Sequence, residues 1–249
     1  MNKYFRTIGF LDISTRRILE KAVNKSIADY MNNQDKQPSR IVEIEIECHE
    51  HFGVMIHGEC IDEEDFYVDY IIPFVRSKNY YSYINAKEEN AVQMDSFFIR
   101  ATFGKMNTEL TFFVENSLDY VKERKNIGKK MVGLVGMAKQ GEILMPVVPY
   151  NPKEDEKIER SDDILSIVET SIFPEGIQSG RYSVLGIIEE CELCQNKITL
   201  ENVYYFTIKC KDIRINVVIN EKNLQGVPEV GRRFAGEIWL QGNTHVVNI

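Results

Sequence analysis

Between residues 14 and 31 apolar side chains recur every three or four positions. Ile18, Leu19, Ala22, Val23, Ile27, Tyr30 and Met31 form one stripe, and Arg16, Arg17, Glu20, Lys21 and Lys25 fill the opposite face. That period predicts an amphipathic helix. Asp12 or Ser14 is placed to cap it, because a short side-chain oxygen accepts from the orphan N–H groups of a first turn. Asn32, Asn33 and Pro38 end it. The segment ahead of it, Tyr4 to Phe10, reads as a strand or an extended lead-in.

From Arg40 the period changes to two. Ile44, Ile46 and Cys48 alternate with Glu43, Glu45 and Glu47, which predicts a half-buried strand. A second strand carries Val54, Ile56, Gly58 and Cys60 on its apolar side. A three-residue loop, His51-Phe52-Gly53, would join the two, with the glycine in a left-handed position. That register sets Cys48 opposite Ile56 and Glu47 opposite His57, and a slip of one residue would turn every side chain over. A third strand runs through Phe66, Val68, Tyr70 and Ile72, and Pro73 stops it or puts it at an edge. Residues 76–94 are polar and predict irregular structure. Strand patterns return at Phe97–Phe103 and Glu109–Val114. Asn116 or Ser117 then caps a short helix to Arg124. A hairpin follows, Met131–Met137 and Ile143–Val148 about a turn at Lys139-Gln140-Gly141.

The charged stretch 151–161 reads as a linker or exposed connection. A helix is expected from Asp162 to about Ile172, broken by Phe173-Pro174-Glu175-Gly176. Beyond it, five segments have β composition: Tyr182–Cys191, Thr199–Cys210, Ile213–Ile219, Phe234–Leu240 and Thr244–Val247. Short strands packed this densely suggest a small barrel of the OB or SH3 type. The expected fold class is therefore α+β: an antiparallel sheet backed by the N-terminal helix over residues 1–176, then a β-barrel over 177–249.

Composition narrows the function classes. With 249 residues and 43% hydrophobic positions, the chain can bury a core without disulfides or metals. The formal net charge of −8 opposes the basic excess that a phosphate-binding surface needs, so no nucleic-acid partner is expected. No apolar run approaches the roughly 20 residues of a membrane span, and the first residues have no apolar signal core. A cytoplasmic location with five reduced cysteines is the expectation.

Three stretches resemble a family of proteins of unknown function from anaerobic Gram-positive bacteria. They are Lys3-Tyr4-Phe5-Arg6-Thr7-Ile8-Gly9-Phe10 with the capped helix behind it, the segment from Gly133 to Val147, and the ending from Pro228 to Gly242. The resemblance spans most of the chain. It implies a bacterial cytosolic protein and implies no activity.

Four groups of residues could carry chemistry, and each has a plainer reading. Glu45, Glu47, His49, His57 and Glu59 share one face in the expected register, a set able to hold a divalent metal or simply a solvated face. Cys191-Glu192-Leu193-Cys194, with Cys210 and the distant His245, is one half of a zinc pattern without a second pair; free thiols are the plainer reading, and Cys48 and Cys60 read as small buried hydrophobes. Arg76, Lys78, Tyr80, Tyr81 and Tyr83 join cations with rings on a loop, a composition suited to binding a ligand or partner or, more plainly, a loop pinned to the body by its own rings. Arg232, Arg233 and Trp239 could form a second binding face, although a lone Trp usually packs. The phosphate-cradling, dinucleotide, nucleophile-elbow and HExxH motifs are all absent from the sequence.

No motif tells what the protein does. The favoured expectation is a non-enzymatic binding or assembly module. Its contacts would be Arg76, Lys78, Tyr80, Tyr81, Tyr83, Arg232, Arg233 and Trp239, and its partner an unidentified protein or small molecule. No cofactor and no membrane partner are expected, and a homo-oligomer is open. The alternative is a metal-dependent, hydrolase-like enzyme using the His/Glu strand face.

Overall fold

The computed structural model describes residues 3–32, 40–61, 65–90, 97–115, 120, 129–147, 168–176 and 180–247. Among the described residues the fold is mostly β-sheet, with an α-helix near the N-terminus. The helix, α1 (Ile13–Met31), starts where its cap is written: the Thr15 N–H donates to Asp12 Oδ1 at 2.9 Å and the Asp12 N–H donates to Thr15 Oγ1 at 3.0 Å. Leu19 and Val23 of its stripe are buried, whereas Ile18 is exposed, because α1 rests on the sheet along a narrow line. Residues Lys3–Ile8 form a 3-10 helix in place of an extended lead-in. Its tight turn presents Tyr4, Phe5 and Ile8 to one core together with Phe10, which alternation along a strand would not do.

Strands β1 (Arg40–His49), β2 (Phe52–Cys60) and β3 (Phe66–Val75) make an antiparallel three-stranded sheet with β2 in the middle. Pro73 sits inside β3, on an edge strand, where a missing donor is tolerated. The β1–β2 register differs from the expected one by four residues: Glu43, not Glu47, lies opposite His57. The shift is even, so the faces are conserved. The turn falls on Glu50 and His51 because Phe52 and Gly53 belong to β2. The Phe52 ring is fully buried, and Gly53 packs against the Ile46 carbonyl and the Phe74 ring, leaving no room for a side chain.

The remaining strands among the described residues form one eleven-stranded sheet. They are β4 (Tyr80–Ser82), β5 (Ile84–Asn90), β6 (Phe97–Phe103), β7 (Thr108–Val114), β8 (Lys129–Leu144), β9 (Ser171–Pro174), β10 (Arg181–Gln195), β11 (Asn202–Cys210), β12 (Ile213–Asn220), β13 (Leu224–Gln225) and β14 (Arg233–Val247). Its pairings run β8–β12–β11–β10–β14 and return from β14 to β8. From β14 the sheet continues through β7 and β6 to β5 at an edge. It thus crosses residue 176, and β8 pairs with β14 from Lys129 to Leu144.

Several local expectations are corrected. The described residues 76–90 hold two strands, missed because β4 has three residues and β5 carries Lys87 and Glu88, charges typical of a protected edge. The hairpin expected over 131–148 is a single sixteen-residue strand. Its glycine is not a turn residue: Gly141 lies beneath the Phe234 ring and pairs with Gly236. The strands expected at 234–240 and 244–247 are likewise one, nearly matched in length to β8. Ser171 and Ile172, expected to end a helix, pair with Leu185 and Val184 as β9. The helix expected to Arg124 lies outside the described residues except Tyr120, and so do residues 62–64, the 151–161 connection and the helix start at Asp162.

Two apolar clusters lie on opposite faces of the long strands. One gathers Leu134, Ile188, Phe206, Val217, Phe234 and Ile238. The other gathers Val135, Met137, Cys194, Tyr205 and Trp239, and is covered by the 3-10 helix and the three-stranded sheet. The seam where the small sheet meets the large one is the setting of the candidate site.

Candidate functional site

Four segments meet at the seam: the β1–β2 turn, the loop after β3, the end of β10 and the middle of β11. The β1 ladder has a bulge between Glu47 and His49, and a bulge re-aims the side chains around it. The His49 imidazole thereby stacks on the Phe52 ring at 5.3 Å and lies 5.1 Å from the His51 ring. The His51 ring stacks on Tyr205 at 4.3 Å, and its Nε2 lies 3.0 Å from Glu192 Oε2.

The loop after β3 is held at both ends. The Arg76 N–H donates to the His51 carbonyl at 2.8 Å, and the Tyr205 hydroxyl donates to the Arg76 carbonyl at 2.9 Å. The buried Asn216 accepts from the Lys78 N–H at 2.8 Å and the Ser77 hydroxyl at 2.9 Å. So fixed, the Arg76 guanidinium pairs with Glu45 at 2.6 Å and lies over the Phe74 ring. Lys78 Nζ lies 3.5 Å from Glu192 and 4.9 Å from the Tyr205 ring centre. Lys197 closes the far side, donating its N–H to the Cys48 carbonyl at 2.8 Å and pairing with Glu47 at 2.6 Å.

Cys194 lies at the floor of this cluster. Burial, reinforced by the Glu192 charge, pushes its thiol up to about 12. Burial and the neighbouring His51 hold His49 below the ordinary imidazole value. The donor atoms of His49, His51 and Cys194 lie within 4.8 Å of one another, and so do those of His49, Glu50 and Glu192. This chemistry suits a soft divalent ion or a polar ligand reaching several donors at once.

Of the residues expected to bind, Arg76 and Lys78 are in this cluster. Tyr80 follows them and is exposed. The Tyr81 hydroxyl accepts the Arg214 N–H at 3.0 Å, and Tyr83 is buried against Phe103 and Phe112. The second expected group is elsewhere and mostly engaged in packing. Arg232 pairs with Glu229 at 3.0 Å, and the buried Arg233 donates to the Met145 and Val168 carbonyls, each at 2.7 Å. Trp239 stacks on Tyr4 at 4.8 Å.

The expected His/Glu face divides. His57 is buried, 3.2 Å from Glu43 and stacked on Tyr70 at 4.2 Å, away from His49. The CxxC pair divides too: its cysteines are three apart on a strand, so they face opposite sides. Cys191 packs with one core and Cys194 with the other. Cys210 is in the first core and cannot join Cys194. The side chain of His245 lies outside the described residues. His51 and Glu192 were missed from the sequence. The His-x-His spacing at 49–51 was an available signal; nothing local marked Glu192 or Cys194 as its neighbours.

The chain matches the family model described as "Domain of unknown function, E. rectale Gene description (DUF3881)" over residues 5–162 and 153–242. It belongs to this family. The name comes from an anaerobic Gram-positive bacterium, in agreement with the resemblance seen in the sequence. No curated protein and no solved structure matches this DUF3881 protein. Among its described residues no helix is long and apolar enough to cross a membrane.

Proposed function

We propose that this DUF3881 protein is a non-enzymatic, cytosolic binding module whose ligand-contacting face is the seam. The observation that supports this most directly is the convergence of His49, His51, Arg76, Lys78 and Glu192 from three distant segments onto one partly open surface. Buried donors and acceptors of Asn216 and Tyr205 hold that surface in place. Preorganised polar groups on rigid elements lower the ordering cost of binding.

The same geometry argues against a cysteine nucleophile. A nucleophilic cysteine needs its thiol brought down toward neutrality by nearby positive charge, and Cys194 is held protonated instead. The polar groups around it are engaged with each other, Arg76 with Glu45 and Lys78 and His51 with Glu192. In this reading the returning pairings β8–β12–β11–β10–β14 make a small barrel of the OB or SH3 kind. Residues 177–249 supply four of its strands and β8 the fifth.

The test is a two-arm screen on one preparation. A metabolite library is followed by amide chemical shifts, and a panel of ester, phosphate and peptide substrates is assayed for turnover. Ligands that move amides of 49–51, 76–80 and 192–194, bind more weakly to Lys78→Ala and are not turned over support the reading. Turnover that disappears in Cys194→Ser or His51→Ala overturns it.

A further inference from the structure

We propose that the seam binds a divalent transition metal of the zinc class through the imidazoles of His49 and His51 and the thiolate of Cys194, with the Glu192 carboxylate as fourth ligand. This rests on the seam being the binding face and names its occupant.

The geometry is close to what such an ion requires. The three donor atoms of His49, His51 and Cys194 lie within 4.8 Å of one another. In a tetrahedral site with metal–nitrogen bonds of about 2.0 Å and metal–sulfur bonds of about 2.3 Å, neighbouring donors stand roughly 3.3–3.8 Å apart. Small side-chain rotations close that difference. Glu192 needs little movement, since its Oε2 is already 3.0 Å from His51 Nε2. Its carboxylate also shares a second donor group with His49 and Glu50.

The donor set selects the ion. Two imidazoles with a thiolate favour zinc and its soft neighbours, while magnesium and calcium prefer oxygen throughout. Charge balance agrees: one thiolate and one carboxylate neutralise a divalent ion, with both imidazoles neutral. Binding converts the Cys194 thiol to a metal thiolate and releases its proton to solvent, as metal sites with cysteine do. The ligands also have support. The Phe52 and Tyr205 rings fix the two imidazole planes, and Lys78 steadies Glu192. Orientation of ligands by surrounding groups is typical of metal sites.

The ion would tie the β1–β2 turn to β10, elements about 140 residues apart in the chain. It would act as a clasp between the two sheets.

The full chain, stripped with chelator, is titrated with cobalt(II) as the probe. The expected result is one equivalent bound, with visible bands of tetrahedral cobalt and a thiolate-to-cobalt charge-transfer band. That band should vanish in Cys194→Ser and persist in Cys191→Ser, whose thiol faces the other core. His51→Ala should weaken binding at least tenfold. X-ray absorption of the zinc-loaded wild type needs no variant and should show one sulfur among nitrogen and oxygen ligands. The absence of a stoichiometric site, a spectrum without sulfur, or a charge-transfer band retained in Cys194→Ser overturns the proposal. Library ligands at the seam without a metal would sink the metal site and leave the binding reading standing. A metal site with no further ligand would uphold the metal as the occupant of the seam.

Discussion

Glu115→Gln is expected to stabilise the protein above neutral pH and to remove a large part of its pH dependence. Glu115 follows β7 and is only 2% exposed. Its N–H donates to the Gly242 carbonyl at 3.1 Å, which holds the residue against β14. Burial pushes its carboxyl from 4.5 up to about 8. The charges of Glu45 and Glu43 push the same way, while Arg76 and a hydrogen bond from Asn243 oppose them. Between those two pH values the folded chain keeps a proton that the unfolded chain has lost. Stability therefore falls as pH rises across the window, is fully present below 4.5 and is lost above about 8. Each tenfold change in proton affinity is worth about 1.4 kcal/mol, so the ceiling is about 5 kcal/mol. Relaxation around a buried charge brings the expected effect to roughly 2–3 kcal/mol. Glutamine keeps the shape and an acceptor oxygen for Asn243 without the ionisation. Urea unfolding of both proteins at pH 5 and pH 9 measures the difference, and titrations common to both cancel. Parallel pH profiles, or a variant less stable than wild type at pH 9, would refute the reasoning.

Three further outcomes follow from the packing. Gly53→Ala drives a methyl into the Ile46 carbonyl and the Phe74 ring, and should cost about 1–3 kcal/mol in urea unfolding; a neutral result would show that the seam strand can shift. Asp12→Ala removes the acceptor of the α1 cap and should cost about 1 kcal/mol by the same assay, whereas an unchanged midpoint would mean that the cap contributes nothing. Residues 177–249 expressed alone lack β8, the partner of β14 along its whole length, and should show poorly dispersed amides and no cooperative unfolding. A dispersed spectrum would establish that this segment folds independently.

Where a pattern is local, the sequence by itself determined the outcome. The period of α1 and its Asp12 cap, the alternation of β1, and Pro73 on an edge all follow from interactions within a few residues. The four-residue shift of the β1–β2 register left its faces unchanged because strand side chains repeat every two residues. Tertiary structure decided what depends on distant partners. Lys139-Gln140-Gly141 has turn composition, yet it makes only an irregularity in the ladder, because β14 pairs with β8 on both sides of it and the Phe234 ring fills the space above Gly141. The cysteines of the CxxC pair parted because β10 is a strand and sends them to opposite cores. His49 and His51 met Glu192 and Cys194 only when the small sheet docked on the large one. Sequence encodes spacing along the chain, and a site built across a seam depends on spacing through the fold.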